Sequence, residues 1–299
     1  MLSPDFSKAI GLDAVPLVSP ENPMLEKHYV VPLGIRAFNP ALIEYANRRF
    51  MAWRTGWQPA EVWIGTLTER FEIKDPVLVN FSNVLPAAEP DTGFEDSRLF
   101  VYEERLWISF TYLRGSLPRM GLARLDSDFQ PDECWIFEGQ SRRAEKNWQF
   151  FSHDGTLLAV YSISPHVVGA IGECGFSKLH EQEHGLPWPH GDVRGGAPPV
   201  RIGDEYFSFF HDRSPHAEYR TGFYAFAAKP PFRITRWPRG HCLVPAGKAC
   251  APESGTRVIY PAGAIFREGE WLLAYGWNDS HCCLARFDHA ELVASLDQV

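Results

Sequence analysis

The chain has 299 residues, a formal net charge of −8 and a hydrophobic fraction of 45%, enough length and apolar content to bury a sizeable core. The acidic balance and the lack of a Lys/Arg run argue against a nucleic-acid partner, because phosphate backbones are bound by basic faces. No apolar stretch approaches the roughly 20 residues of a membrane span, and the first residues lack the basic-then-apolar pattern of a secretory leader, so a soluble, cytoplasmic protein with no membrane partner is expected.

Residues 1–35 are Pro-rich and read as an irregular N-terminal arm that wraps the body or closes a sheet. From Phe38 the sequence then repeats. FNPALIEYANRRFMAWRTG from Phe38, EDSRLFVYEERLWISFTYL from Glu95, KNWQFFSHDGTLLAVYSIS from Lys146, GGAPPVRIGDEYFSFFHDR from Gly195 and YPAGAIFREGEWLLAYGWND from Tyr260 share one pattern. Each starts on a small or polar residue, runs along an apolar strand, turns at a short polar pair and returns through an aromatic-rich strand. With Asn39, Asp96, Asn147, Gly196 and Pro261 as starts, the steps are 57, 51, 49 and 65 residues. Paired short strands at that period predict the blades of an all-β, five-bladed β-propeller, a single domain over residues 1–299.

Between the third and fourth repeats, HEQEHGLPWPHGD from His180 to Asp192 reads as a polar loop. The tail DHAELVASLDQV from Asp288 carries the one helical signal, with Asp as N-cap and Leu292 and Leu296 four apart. The 24 Gly and 24 Pro supply the turns that many short strands need. Six cysteines form no C-x-x-C pair; His281, Cys282 and Cys283 alternate across a strand and cannot share one ion, so reduced structural thiols and no metal are expected. A Cys242–Cys250 disulfide fits only an exported protein.

In a propeller the starts of the innermost strands converge on one axis. Polar residues recur there as Asn39, Asp96, Lys146 with Asn147, Arg194 and Tyr260, and at the far ends of the second strands as Arg54, His166, His211 and Asp279. Strand capping accounts for Asn39 and Asn147 equally well. It accounts less well for Arg54 and Lys146, since a buried cation without a partner is costly. Cations and carboxylates around one cavity point to a polar, anionic or sugar-like ligand.

These residues resemble glycoside hydrolase family 130, the five-bladed β-mannoside phosphorylases. GFEDSRLF is similar to that family's G-x-E-D-P-R motif, with Ser97 in place of the Pro. FNP with a Trp-Arg pair ending at Arg54 is similar to its first blade, and GGAPPVR leading to FFH to its G-A-P-P-I-K stretch. YPAGAIF followed by YGWND matches its F-P-x-G segment and closing Asp. The run Glu145–Lys146–Asn147–Trp148 resembles the branch containing β-1,2-mannosyltransferases that also act as phosphorylases. SISPH ends at His166 where the family carries His-Arg-Pro, and the Arg is missing here.

The resemblance implies inverting phosphorolysis of β-mannosides to α-mannose 1-phosphate, or the reverse synthesis. Asp96 would donate the proton. Asn39, Arg54, Glu95, Asp279 and Tyr260 would hold the sugar, and Lys146, Asn147, His166, Arg194, Arg201 and His211 the phosphate. Inorganic phosphate would be a co-substrate, no cofactor is implied, and an oligosaccharide or sugar phosphate would be the ligand. A homo-oligomer stays open, as do three other readings: a sugar-nucleotide-dependent mannosyltransferase, an inverting hydrolase with Glu145 as second carboxylate, and a non-catalytic carbohydrate-binding propeller.

Overall fold

Alternation of inward and outward side chains folds each repeat into an antiparallel hairpin, and every hairpin becomes the inner half of a small sheet. The computed structural model describes residues 27–33, 36–56, 60–85, 93–114, 117–137, 145–172, 175–182, 188–216, 218–245 and 257–299. In chain order β1 (Lys27–Val30) comes first. The first blade is β2 (Ala37–Tyr45), β3 (Arg48–Thr55), β4 (Glu61–Leu67) and β5 (Ile73–Leu78). The second is β6 (Gly93–Tyr102), β7 (Arg105–Arg114), β8 (Leu117–Leu125) and β9 (Pro131–Ile136), and the third β10 (Gln149–His153), β11 (Thr156–Ser162), β12 (His166–Gly172) and β13 (Gly175–Gln182). In the fourth, β14 (Asp192–Gly195) and β15 (Val200–Ile202) both pair with β16 (Glu205–Arg213), followed by β17 (Tyr219–Ala227) and β18 (Ile234–Pro238). The fifth holds β19 (Ile259–Arg267), β20 (Glu270–Trp277) and β21 (His281–Asp288); helix α1 (His289–Ala294) and β22 (Leu296–Gln298) end the chain.

The sheets close into a ring because each buries apolar faces against two neighbours. Five separate cores fill the five gaps: Phe110 lies between blades one and two, Trp148 between two and three, Phe226 between three and four, Trp271 between four and five, and Trp53 between five and one. Flat, bulky rings fill the space between twisted sheets. This is the five-bladed propeller expected from the repeats.

Two terminal segments take a more specific form than expected. Residues 27–30, within the arm expected to wrap the body or close a sheet, do the latter as a regular strand: β1 pairs with β21 and completes the fifth blade, covering the exposed edge of that sheet. Residues 1–26 lie outside the described residues. The tail helix is capped as expected, Asp288 accepting from the Glu291 N–H at 2.9 Å, yet it stops at Ala294. Leu296 is in β22, which covers the edge of β18 in the fourth blade. Cys134, Cys242, Cys282 and Cys283 are free thiols, with Cys282 and Cys283 facing different inter-blade cores as alternation requires; Cys250 lies outside the described residues.

The inner hairpins turn tightly at one face of the ring. Ala46 and Asn47, Glu103 and Glu104, Asp154 and Gly155, and Glu268 and Gly269 all have positive φ, the primed turn whose twist matches the strands. The opposite face carries the strand starts, and there the ladders are broken. Register shifts fall between Phe38 and Ala41, between Glu95 and Arg98, and between Pro261 and Gly263.

Candidate active site

The broken ladders explain the residue types at Asn39 and Asp96, and Asn147 lies just ahead of its strand. Asn39, Asp96 and Asn147 sit in the left-handed region, with φ of 51°, 54° and 65°. Asn and Asp tolerate that region best among residues with a Cβ, and a bulge re-aims its side chain. The recurrence of Asn and Asp is therefore partly a backbone requirement. What the side chains do next is not.

Asn39 Nδ2 donates to Asp96 Oδ1 at 2.7 Å, joining the first two blades. Arg54, almost fully buried, spans two carboxylates: its Nη2 lies 3.0 Å from Glu95 and its Nη1 3.5 Å from Asp96. The guanidinium also lies over the Phe38 ring, 4.6 Å from its centroid, which fixes its plane. Blade five approaches so closely that a Cβ on Gly276 would stand 2.0 Å from Asn39 Oδ1, so only glycine fits there. Asp279, at φ 49° in the turn after β20, completes the group. Burial pushes its carboxyl up to about 6, Asp96 and Glu95 add to this, and Arg54 opposes it. Burial likewise raises Glu95, against the pull of Arg54. Three carboxylates thus share one buried cation.

Across the mouth the charge reverses. Arg98, buried in the Glu95–Asp96–Ser97–Arg98 bulge, donates from Nη2 to Asn147 Oδ1 at 3.1 Å, to the Gly195 carbonyl at 3.0 Å and to Tyr260 Oη at 2.8 Å. Tyr260, expected on the sugar side, belongs to this half: its hydroxyl bonds Arg98 and Asn147, and His211 packs on its ring, centroids 4.8 Å apart. Burial, then the charges of Arg98, Arg194 and Lys146, hold the His211 imidazole well below the usual range, so it is neutral. Lys146 is exposed and lies close enough to Glu95 to bias its titration. Arg194 is half-buried, 3.8 Å from Asp192.

Ten of the twelve expected residues are therefore drawn together at this face, and two are not. Arg201 stands at the hairpin-turn face, exposed, 3.9 Å from Asp154, because the Gly195–Gly196 break splits the inner strand and carries β15 down to the turn. His166 begins the third strand of its blade and is buried between blades three and four against Tyr224 and Phe226. Burial lowers its ring to about 4, as for a neutral core histidine. Glu145, the expected second carboxylate of a hydrolase, is buried and accepts from the Tyr161 hydroxyl at 3.0 Å. Arg98 is the residue that sequence reasoning missed, although it lies inside the quoted GFEDSRLF motif. Among the described residues, no group of three or more His, Cys, Asp or Glu side chains is placed to hold a metal ion, and no helix is long and apolar enough to cross a membrane.

The raised Asp279 carboxyl has a measurable consequence. Its folded value of about 6 exceeds the ordinary 3.8, so the native state binds more protons, and this group costs stability as pH rises from about 4 through 6. The neutral histidines act in the opposite direction over a similar window, so the informative quantity is a difference. Asp279→Asn is expected to be more stable than the wild type by on the order of 2–3 kcal/mol at pH 8, the gap closing by about pH 4. Denaturant titrations of both proteins across that range measure it; a gap that does not change with pH would refute the assignment.

No protein-family model matches the sequence, and no curated protein sequence matches it. Solved structures do. A β-1,2-mannobiose phosphorylase from Listeria innocua, in complex with β-1,2-mannobiose, superposes with a TM-score of 0.69 at 13% identity, covering 93% of this chain and 98% of that one. A mannose phosphorylase from Leishmania mexicana, in complex with phosphate, gives 0.54 at 15% identity over 92% of both chains. This chain shares the mannoside phosphorylase fold. A third match, at 0.64, 16% identity and 92% of both chains, is from the GH130 family of mannoside phosphorylases, described as containing glycoside hydrolases that target β-1,2-mannosidic linkages in Candida mannan.

Proposed function

We propose that this protein is a carbohydrate-active enzyme that cleaves β-mannosides by inverting phosphorolysis, or runs the reverse transfer from α-mannose 1-phosphate. The observation that carries this reading is the division of the mouth: Asp96, held by Asn39 and Arg54, faces a half where Lys146 and Arg194 are accessible and Arg98 and neutral His211 lie buried behind them. Phosphate is already a nucleophile, so one proton donor and a set of cations suffice. A phosphate oxygen bonds to the anomeric carbon as the glycosidic C–O bond breaks, and the leaving oxygen takes the Asp96 proton, reached through a sugar hydroxyl in the mechanism the family resemblance implies. Asn39, Arg54, Glu95 and Asp279 hold the sugar. No metal or organic cofactor is required, and the sugar or sugar phosphate meets the enzyme in the cytoplasm.

An inverting hydrolase instead needs a carboxylate base where water would attack. That half of the mouth is cationic, which favours phosphate.

The test offers β-mannobiosides with and without inorganic phosphate, and α-mannose 1-phosphate with a panel of acceptor sugars. Expected are phosphate-dependent α-mannose 1-phosphate formation and acceptor-dependent phosphate release. Cleavage indifferent to phosphate would make this a hydrolase, and transfer only from a labelled sugar nucleotide would make it a nucleotide-dependent transferase. No turnover, with sugar binding unchanged in Asp96→Asn, would leave a binding module.

A further inference from the structure

Arg98 is 1% exposed, and among the described residues no carboxylate lies within ion-pair distance of it. Its partners are two carbonyls, an amide oxygen and a phenol, all neutral. A buried guanidinium in that state is electrostatically incomplete. Its hydrogen bonds also settle an orientation. A guanidinium can only donate, so the Asn147 atom facing Nη2 at 3.1 Å is the oxygen. Tyr260 reinforces the choice: Arg98 donates to its Oη at 2.8 Å, and its hydroxyl donates onward to the same Asn147 Oδ1 at 2.9 Å. Burial pushes the Tyr260 phenol above its usual range, which keeps that proton in place. With Oδ1 accepting twice, the amide of Asn147 is turned so that its Nδ2 donor is left over, and Nδ2 has no partner among the described residues. Asn39 is poled the other way, giving its Nδ2 to Asp96.

We propose that Arg98 is a positioning residue that commits this mouth to phosphate over water, by fixing through Tyr260 which end of the Asn147 amide meets the co-substrate and by adding an uncompensated positive charge beneath it. This rests on the phosphorolytic reading above. Arg98 touches neither the sugar nor the bond that breaks; it acts through Asn147, Tyr260 and the field felt by His211.

The test compares wild type, Tyr260→Phe, Arg98→Lys and Arg98→Met. Their KM values for phosphate and for a β-mannobioside, and the ratio of α-mannose 1-phosphate to free mannose produced, are measured, with direct phosphate binding followed by phosphorus NMR. Tyr260→Phe removes one hydroxyl and is the variant that keeps the test valid should Arg98→Met fail to fold. It is expected to raise the phosphate KM about tenfold, with the mannobioside KM within about twofold and more free mannose formed. Arg98→Lys, which keeps the charge but loses the fork, is expected to fall between wild type and Tyr260→Phe. Wild-type phosphate KM and product ratio in both Tyr260→Phe and Arg98→Lys would overturn the proposal, as would equal losses toward both substrates. A wild type that neither binds nor uses phosphate would instead remove the phosphorolytic reading itself.

Discussion

Asp96→Asn is expected to lower kcat for phosphorolysis by about 10²–10⁴-fold while leaving the fold intact, because it removes only the proton donor. The substitution is conservative in every structural respect. Asp96 sits at φ 54°, where an Asn side chain is at least as comfortable as the native one. The amide oxygen of the new side chain can still accept from Asn39 Nδ2, and Arg54 keeps Glu95 as its ion-pair partner. One of three crowded carboxylates is lost, so stability should not fall. Asp96→Ala would be a poorer experiment: Ala costs about 1–2 kcal/mol in the left-handed region and strands the Asn39 amide. Steady-state rates with phosphate, set beside melting curves, decide the matter. Activity within tenfold of wild type in a folded Asp96→Asn protein would remove Asp96 from the role of acid.

The fold was legible in the sequence because its signals are local. Alternation, two-residue polar turns and the fifty-odd-residue period need no knowledge of the third dimension, and all five inner hairpins follow from them. The site was legible only where it coincided with a strand start. Asn39, Asp96, Asn147 and Tyr260 are found by counting blades. Arg98 is not, because a positive charge two residues into an apolar strand looks like an outward-facing residue until the bulge at Glu95–Arg98 turns it inward. Arg201 misled for the complementary reason: the residues after Gly195–Gly196 no longer keep step with the other blades. His166 lies near the end of a second strand in sequence but begins a third strand in space, and its surroundings are apolar. Asp279 could be placed by position, whereas its raised carboxyl depends on burial and on the approach of Asp96 and Glu95 from another blade, against the pull of Arg54.

Arg54→Met should be the most damaging single change to stability at the mouth, on the order of 3–5 kcal/mol near pH 8. Met matches the stem of Arg54 and can still lie on Phe38, so the packing loss is small. The electrostatic loss is not. Arg54 is the cation that pairs with both Glu95 and Asp96 and offsets the burial of Asp279. Without it, the already raised Glu95 and Asp279 carboxyls rise further. Their folded values then lie even further above the unfolded ones, so the penalty is full above the folded values and disappears below about pH 4. The destabilisation is therefore expected to shrink on acidification. It is also expected to be partly relieved by Asp279→Asn, since the double variant removes one charge that Arg54 had offset; groups in one ion-pair network are not additive. Unfolding free energies of the two single variants and the double variant at pH 4, 6 and 8 complete the cycle. A loss equal at all three pH values would mean that contacts of the guanidinium within the first blade, where it lies over Phe38, carry the effect, and that the shared-cation account of the carboxylates is wrong.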